Sequence, residues 1–438
     1  MARERIARAL GCASEELIFT GGGSESNNLA VRGALPPGGA TICHVVTSQI
    51  EHSSVLKTCQ VLEEEGHSVT YLGVDGHGRF DTEELEKILG PDTVLVSLGW
   101  VNNEIGTVQD IETIVRIVKG RGVTLHMDAV QALPYLPMNL AELGVDLMSF
   151  SGHKLYAPKG VGLLYVRRGT SLRPIVHGGG QEFGLRSGTE NVPYAVGLSR
   201  AVRLNRKERA RYSQKLTELR DRIISTVLET IPDVLLSGHP ISRSPNSASF
   251  CFQGVNGKML VKELAHHGLE ASSGSACSSP RNEPSHVLEA CGVPQDYLLG
   301  SLRITLGRYN TKGDVDTLLR VLPRVVSRMR SEPRPYNNDP IFISQDEFRA
   351  KVAAGEPIQI LDVRSPRIPA GDIPGSIHIP VWRLKANLRK LDPSLETVVV
   401  CYQGDIISPE VQQVLTKHRF VNARILKGGY FSYVGFGF

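Results

Sequence analysis

The chain has no CxxC pair, and its seven cysteines (12, 43, 59, 251, 277, 291 and 401) are scattered and odd in number. That spacing argues against both a zinc ribbon and a disulfide scaffold and points to a reducing compartment. No apolar run approaches the ~18 residues that a membrane span requires. Excess charge of one sign is also scarce: Lys+Arg 49 against Asp+Glu 45 leaves only +4, too little to imply a nucleic-acid surface. Internal repeats and low-complexity tracts are missing. What remains is ordinary for a globular chain, with 41% hydrophobic and 21% charged residues. Its 438 residues can bury a core without staples and make about two to four domains. The expectation is a soluble cytoplasmic enzyme that needs no metal site and contacts neither membrane nor nucleic acid.

The opening MARERIARALG is Arg-rich with apolar residues at helical spacing, which raises a mitochondrial transit peptide. Glu4, Glu15 and Glu16, and the direct run into the strand-like EELIFT, favour an amphipathic helix followed by a strand. Up to about residue 200, strand-like runs (ICHVVTS, SVTYLGV, TVLVSLGWV, VTLHMDA, DLMSFS, VGLLYV) alternate with helical ones (HSSVLKTCQVLEEEG, DTEELEKIL, IETIVRIVKGRG). That βαβα order predicts an α/β fold with a mostly parallel sheet covered by helices. A long charged helix, NRKERARYSQKLTELRDRIISTVLETI, leads into an α+β pattern containing ASFCFQG, KMLVKELAHHG and LRITLGRY. The proline- and asparagine-rich SEPRPYNNDP at 331–340 reads as a linker. A third unit then restarts with IQILDV, TVVVCY and ARIL. The expected boundaries are 1–200 for a large domain, 201–330 for a small one, 331–340 for the linker and 341–438 for the last domain.

Three features carry chemistry. GGGSESNN at 21–28 lies between a strand and a helix, where glycines and free helix N–H groups can cradle a phosphate with Ser24 adding a hydroxyl; a capped turn is the plain alternative. Asp128 in HMDAVQA ends a buried strand at the edge where open α/β sheets bind ligands. It needs a cationic partner there, unless it merely caps a helix. Lys154 in SFSGHKLYAPKGVG follows another strand, in a position where a lone lysine is ordinarily a surface residue. Taken together in this order, cradle, carboxylate and lysine meet the needs of pyridoxal phosphate: a phosphate site, a partner for the ring nitrogen and a Schiff-base amine.

These segments, with QIEHSSVL, VNNEIGTVQDI, GGGQEFGLRSGTEN, ASSGSACSS and SLRITLGR, resemble the class V aminotransferase-fold cysteine desulfurases that serve iron–sulfur cluster assembly. The resemblance covers residues 1 to about 330, and it implies a fold-type-I pyridoxal-dependent enzyme with a large and a small domain. The related selenocysteine lyases share most of these motifs. By resemblance, Lys154 holds the cofactor, Asp128 pairs with its ring nitrogen, and Gln131 bonds its phenolic oxygen. His52 stacks on the ring and shuttles protons; alone, it reads as a helix-start histidine. Ser24, Ser151 and His153 bind the phosphate, with Thr189 reaching it from the partner of a homodimer. Asn103 and Arg303 hold the substrate carboxylate. Cys277, in a loop of small polar residues, becomes the persulfide-forming nucleophile that turns L-cysteine into L-alanine. The family's tyrosine- and threonine-containing leading segment is absent from this sequence.

Residues 341–438 resemble a rhodanese domain through ILDVRSP, GDIPGSIHIP, VVVCYQGDI and LKGGYFSYVGFG. Cys401 then stands at a strand end before a helix, a setting that favours a thiolate or persulfide. Ile406 replaces the usual loop arginine and Asp372 the usual histidine, which weakens the case for thiosulfate turnover but not for taking sulfur from a neighbouring persulfide. The resulting expectation is a desulfurase that relays sulfur from Cys277 to Cys401 and on to an acceptor such as an iron–sulfur scaffold. The ten-residue linker reaches at most about 35 Å. A selenocysteine lyase acting on L-selenocysteine and a non-catalytic scaffold stay open as alternatives.

Overall fold

The computed structural model describes residues 1–36, 42–274, 284–331, 342–364, 373–402 and 407–433, with backbone alone for 407–410, 413, 431 and 432. Cys277, Asp372, Ile406 and nearly all of the expected linker lie outside the described residues. The chain divides into two compact units, one built on residues 1–274 and 284–326, the other on 327–438.

The first unit begins with helix α1 (Ala2–Leu10), strand β1 (Leu17–Thr20) and α2 (Gly23–Gly33). It continues through β2 (His44–Ser48), α3 (Ser53–Glu64), β3 (Ser68–Leu72), α4 (Thr82–Ile88) and β4 (Thr93–Gly99). Next come α5 (Ile111–Gly120), β5 (Thr124–Asp128), α6 (Leu140–Leu143), β6 (Leu147–Ser151) and β7 (Gly162–Val166). The seven strands form one sheet in the order β1-β7-β6-β5-β4-β2-β3. Strand β7 runs antiparallel to both neighbours and the remaining pairs are parallel. Parallel neighbours need a crossover helix; between β6 and β7 there is only a short turned segment, so the chain reverses. Strands β6 and β7 are buried at every position, which is why they read as continuous apolar runs rather than alternating ones.

Helix α7 (Val192–Thr230) follows, with the Asn191 side chain accepting the Tyr194 N–H and proline in its first turn. It starts at Val192 rather than near Asn205, so residue 200 lies within it; exposed Val192, Tyr194 and Val196 hid the first turns from a reading based on charge. The unit is completed by β8 (Val234–Ser237), β9 (Ser247–Phe252), α8 (Gly257–His266), α9 (His286–Ala290), α10 (Gln295–Leu298), β10 (Ser301–Thr305) and α11 (Lys312–Ser331). Its second sheet is antiparallel, in the order β10-β9-β8.

The second unit contains β11 (Phe342–Ile343), α12 (Gln345–Ala353), β12 (Ile358–Asp362), β13 (Ser376–His378), α13 (Leu384–Asn387), β14 (Glu396–Val400), α14 (Ile407–Lys417), β15 (Ala423–Leu426) and α15 (Gly429–Tyr433). Its five strands lie in the order β11-β15-β14-β12-β13 with every pair parallel. All five carboxyl ends therefore share one edge, and Cys401 follows β14 there. Among the described residues, no helix is long and apolar enough to cross a membrane.

Candidate active site

Two reversals make β1 parallel to β6, so the carboxyl ends of β1, β5 and β6 lie on one edge of the large sheet. From that edge emerge α2 with Ser24, the turn after Asp128, and the turn carrying Ser151, His153 and Lys154. Glycines let the first two turns close up. A Cβ on Gly162 would lie 2.7 Å from the Gly22 backbone, and one on Gly23 would lie 2.7 Å from Val130 Cγ2 and 3.4 Å from Ser151 Cβ. The buried Ser26 hydroxyl pins the same turn, meeting Thr20 Oγ1 at 2.7 Å and the Leu163 carbonyl at 3.0 Å. Ser24 is left exposed in the first turn of α2, beside N–H groups that have no helical partner.

Asp128 accepts from Asn27 Nδ2 at 2.7 Å and from the Val130 N–H at 2.9 Å. Burial pushes its carboxyl upward, against those two hydrogen bonds and the positive charge of His52 and Lys154. The Asn27 amide also donates to Ser54 Oγ at 2.9 Å, and Ser54 reaches His52 Nδ1 at 2.8 Å. His52 caps α3 by accepting the Ser54 N–H on Nδ1 at 3.1 Å. The expected site residue is thus also the helix cap: with Nδ1 committed as acceptor, a neutral ring carries its proton on Nε2. On the lysine turn, Ser151 Oγ and His153 Nδ1 are 2.9 Å apart. Burial first, then Lys154 and Lys159, hold the His153 imidazole below its usual range. Gln131 sits half-buried just after Asp128.

The predicted substrate residues also meet: Arg303 on β10 donates from Nη1 to the Asn103 carbonyl at 3.0 Å. Beside them Glu104 is buried, accepting from Ser285 Oγ at 2.5 Å. Burial raises its carboxyl, opposed by the Ser285 bond and by His286 and Arg303. Thr189 is exposed on a segment tied down by Arg186 to Glu25 at 2.8 Å and by Arg3 to Glu182 at 2.7 Å. Cys277 lies outside the described residues. In the second unit Cys401 is buried among Val399, Val411 and Leu415, and its carbonyl accepts the Tyr430 N–H at 2.8 Å. Next to it Arg364 pairs with Asp362 at 2.7 Å and stacks on Tyr430 at 3.7 Å.

Sequence reasoning missed Asn27, Ser54, Glu104 and the Arg186–Glu25 pair. Asn27 had a signal, since it stands three residues after Ser24 and so one helical turn on. Glu104 had none: a carboxylate beside Asn103 reads as surface until burial is known. The residues present fit pyridoxal phosphate. Gly23, where Val130 and Ser151 leave no room for a Cβ, packs the Ser24 turn against the Asp128 and Lys154 turns, and the buried Asn27 Oδ1 has no hydrogen-bond partner. The carboxylate of Asp128 faces cationic chemistry, and an open cleft of about 380 Å³ runs past Ser24, Asn28, His52 and Ser54.

Comparison with known proteins gives the same picture. Residues 1–318 match the class-V aminotransferase family model, and residues 344–435 match the rhodanese-like domain. A protein named cysteine desulfurase IscS from Dictyoglomus turgidum is 46% identical over 330 residues, covering 75% of this chain and 84% of the relative. One of the same name from Methanosarcina thermophila is 45% identical over 331 residues, covering 76% and 82%. Among solved structures, a NifS-like protein superposes with a TM-score of 0.70 at 37% identity, covering 75% of this chain and 87% of that one. DndA from Streptomyces lividans gives 0.61 at 36% identity, covering 69% and 86%. With this sheet edge and these matches, the chain belongs to the class-V aminotransferase family, in its cysteine desulfurase group, and carries a rhodanese-like domain behind it.

Proposed function

We propose that the first unit is a pyridoxal-phosphate-dependent cysteine desulfurase whose sulfur passes to Cys401 of the second. The observation that carries this reading is the convergence of Asp128, fixed by Asn27, and Lys154 on the edge that also bears the α2 cradle. Ser24, Ser151 and His153 would hold the phosphate, Asp128 the ring nitrogen and Lys154 the aldehyde carbon. When bound, the cofactor supplies an electron sink for the substrate's α-carbon. Arg303, steadied by the Asn103 carbonyl, receives the substrate carboxylate with its planar fork. Lys154 Nζ takes the Cα proton, and His52 Nε2 is the nearby proton donor that its capped Nδ1 leaves available. The Cys277 thiolate then attacks the substrate sulfur; the carbon–sulfur bond breaks, a sulfur–sulfur bond forms, and L-alanine leaves.

Covalent attachment raises the effective concentration of Cys401 to roughly millimolar, which supports onward transfer. Exposed Phe183 and Val192, 59% and 62% accessible on either side of Thr189, support a homodimer in which Thr189 completes the neighbour's phosphate site. The test gives the purified chain L-cysteine as sole sulfur source, then measures alanine and maps sulfane sulfur by mass spectrometry. Wild type carries it on Cys277 and Cys401, Cys401→Ser on Cys277 alone, and Cys277→Ser on neither. Persulfide on Cys401 in the Cys277→Ser protein rejects the relay, and no alanine release at all returns the chain to a scaffold.

A further inference from the structure

The register of the second sheet sets His378 and Val400 level with each other, both opposite Asp362. Cys401 follows Val400, and the segment 379–390 follows His378, so both leave the sheet at the same edge. They are separated by two strand spacings, about 10 Å. That segment folds as two short turns around α13. Leu384 is buried in the core that also holds Cys401, with Val381 and Leu388 packed against it. Residues 381, 384 and 388 recur at helical spacing, so the positions between them are forced outward. Between them lie Trp382, 60% exposed, and the exposed Arg383 and Lys385, and just after them the exposed Arg389 and Lys390. Between Asp372 and Asp392 there is no acidic residue.

Three cations elsewhere in the unit are neutralised. Lys351 bonds Glu356 and Glu396, Arg424 bonds Glu347 and Glu396, and Arg364 bonds Asp362. None of Arg383, Lys385, Arg389 and Lys390 has a carboxylate partner among the described residues. Four adjacent unneutralised charges repel one another, an arrangement that an opposing acidic surface relieves. An exposed tryptophan ringed by cations has the composition of an interface anchor, since Trp and Arg dominate binding energy where they occur together.

We propose that Trp382 with Arg383, Lys385, Arg389 and Lys390 is the docking face for the protein that takes sulfur from Cys401, and that this acceptor presents an acidic surface around its thiol. The proposal rests on the relay reading above. In the transfer, the acceptor thiolate attacks the outer sulfur of the Cys401 persulfide. A new sulfur–sulfur bond forms on the acceptor, the bond to Cys401 Sγ breaks, and the electron pair leaves on Sγ as thiolate, with no net oxidation. The face selects a protein rather than RNA because its charge is one compact cluster around a single exposed tryptophan, not a stripe that tracks a phosphate backbone.

The test uses the full chain and synthetic peptides, each with one cysteine, flanked by Glu and Asp, by Ser and Gly, or by Lys. After loading with L-cysteine, sulfane transfer to the acidic peptide is expected to be about tenfold faster than to the neutral one at low salt, the difference fading at high salt. The double variants Arg383→Glu/Lys385→Glu and Arg389→Glu/Lys390→Glu should lose that preference while alanine release and the Cys401 persulfide persist. Binding of a cysteine-free acidic peptide, followed by fluorescence anisotropy, reads the face without the relay. It should weaken in both double variants and in Trp382→Ala even if no sulfur reaches Cys401. Equal binding of acidic and neutral peptides overturns the proposal. So does an oligouridine that displaces the acidic peptide from the wild type more effectively than unlabelled peptide does, which would make RNA the occupant.

Discussion

Ser285 Oγ donates to Glu104 Oε2 at 2.5 Å, joining two residues 181 positions apart in the sequence. A Cβ on Gly274 would lie 3.0 Å from the same oxygen. One buried carboxylate thus meets the chain just before and just after residues 275–283, while the charges of Arg303 and His286 act on it. Both stems of the segment 275–283 thus pack against that one oxygen.

Replacing Glu104 by alanine leaves the Ser285 hydroxyl buried without its acceptor. The expected loss is about 1–3 kcal/mol in urea unfolding of the full chain, with a fall in alanine release. Glu104→Gln keeps an acceptor oxygen and should recover most of the stability. Equal midpoints for wild type and Glu104→Ala would show that the contact contributes nothing.

Lys154→Ala should abolish both the visible absorbance of bound pyridoxal and alanine release. Among the described residues no other lysine stands at the end of a large-sheet strand beside Asp128. Activity retained in the variant removes Lys154 from its assigned role.

Asn27 holds Asp128 through a charge-assisted bond of 2.7 Å, a class contributing about 1.5–3 kcal/mol. Asn27→Ala should therefore lower kcat/KM by roughly tenfold or more and hasten cofactor loss on dialysis. Asn27→Asp places a like charge against Asp128 and should be worse. A variant that keeps cofactor and rate would mean Asp128 is oriented by the Val130 N–H alone.

Glu51 is buried beside the site, with Ser48 Oγ donating to it at 2.5 Å. Burial, with a smaller push from the Asp128 charge, raises its carboxyl from 4.5 to about 7. The folded chain thus holds a proton there that the unfolded chain releases. Its contribution to stability is complete below pH 4.5 and is lost as pH rises to about 7. Over that window the shift corresponds to about 3 kcal/mol. Urea unfolding at both ends of the range should show Glu51→Gln gaining stability relative to wild type as pH rises. A difference that does not change with pH would place the Glu51 titration elsewhere.

The sheet, its parallel core and the strand-end positions of Asp128 and Lys154 were legible because buried strands write largely apolar runs and charged residues appear only as those runs end. The reversal at β7 was not, since a turn and a crossover helix differ in length rather than in hydrophobicity. His52 illustrates the limit at residue level. The sequence offered a helix cap or a ring-stacking base as alternatives, and one nitrogen caps while the other stays available. Glu104, Glu51 and Arg243 were illegible for a common reason. Their neighbours are distant in sequence; Arg243, for example, donates to the carbonyls of Ile105, Ser247 and His239, and no local pattern records such partners.

Helix α7 is 39 residues long, nearly 60 Å at 1.5 Å per residue. Near its start a Cβ on Gly197 would lie 3.1 Å from Pro158, which follows the lysine turn. Further along, Asn205 Nδ2 donates to the Pro134 carbonyl at 2.8 Å, beyond the Asp128 turn. Farther still, Arg220 donates to the carbonyls of Arg243 and Ser244 at 3.1 and 2.9 Å, at the foot of the small sheet whose outer strand bears Arg303. The helix works as a ruler: the spacing between the Lys154 turn and the strand bearing Arg303, the two sides of the proposed substrate site, is gauged along one rod. Inserting a single residue in its middle would rotate one end against the other by about 100°. It would put the two halves of the substrate site out of register while leaving each half locally intact.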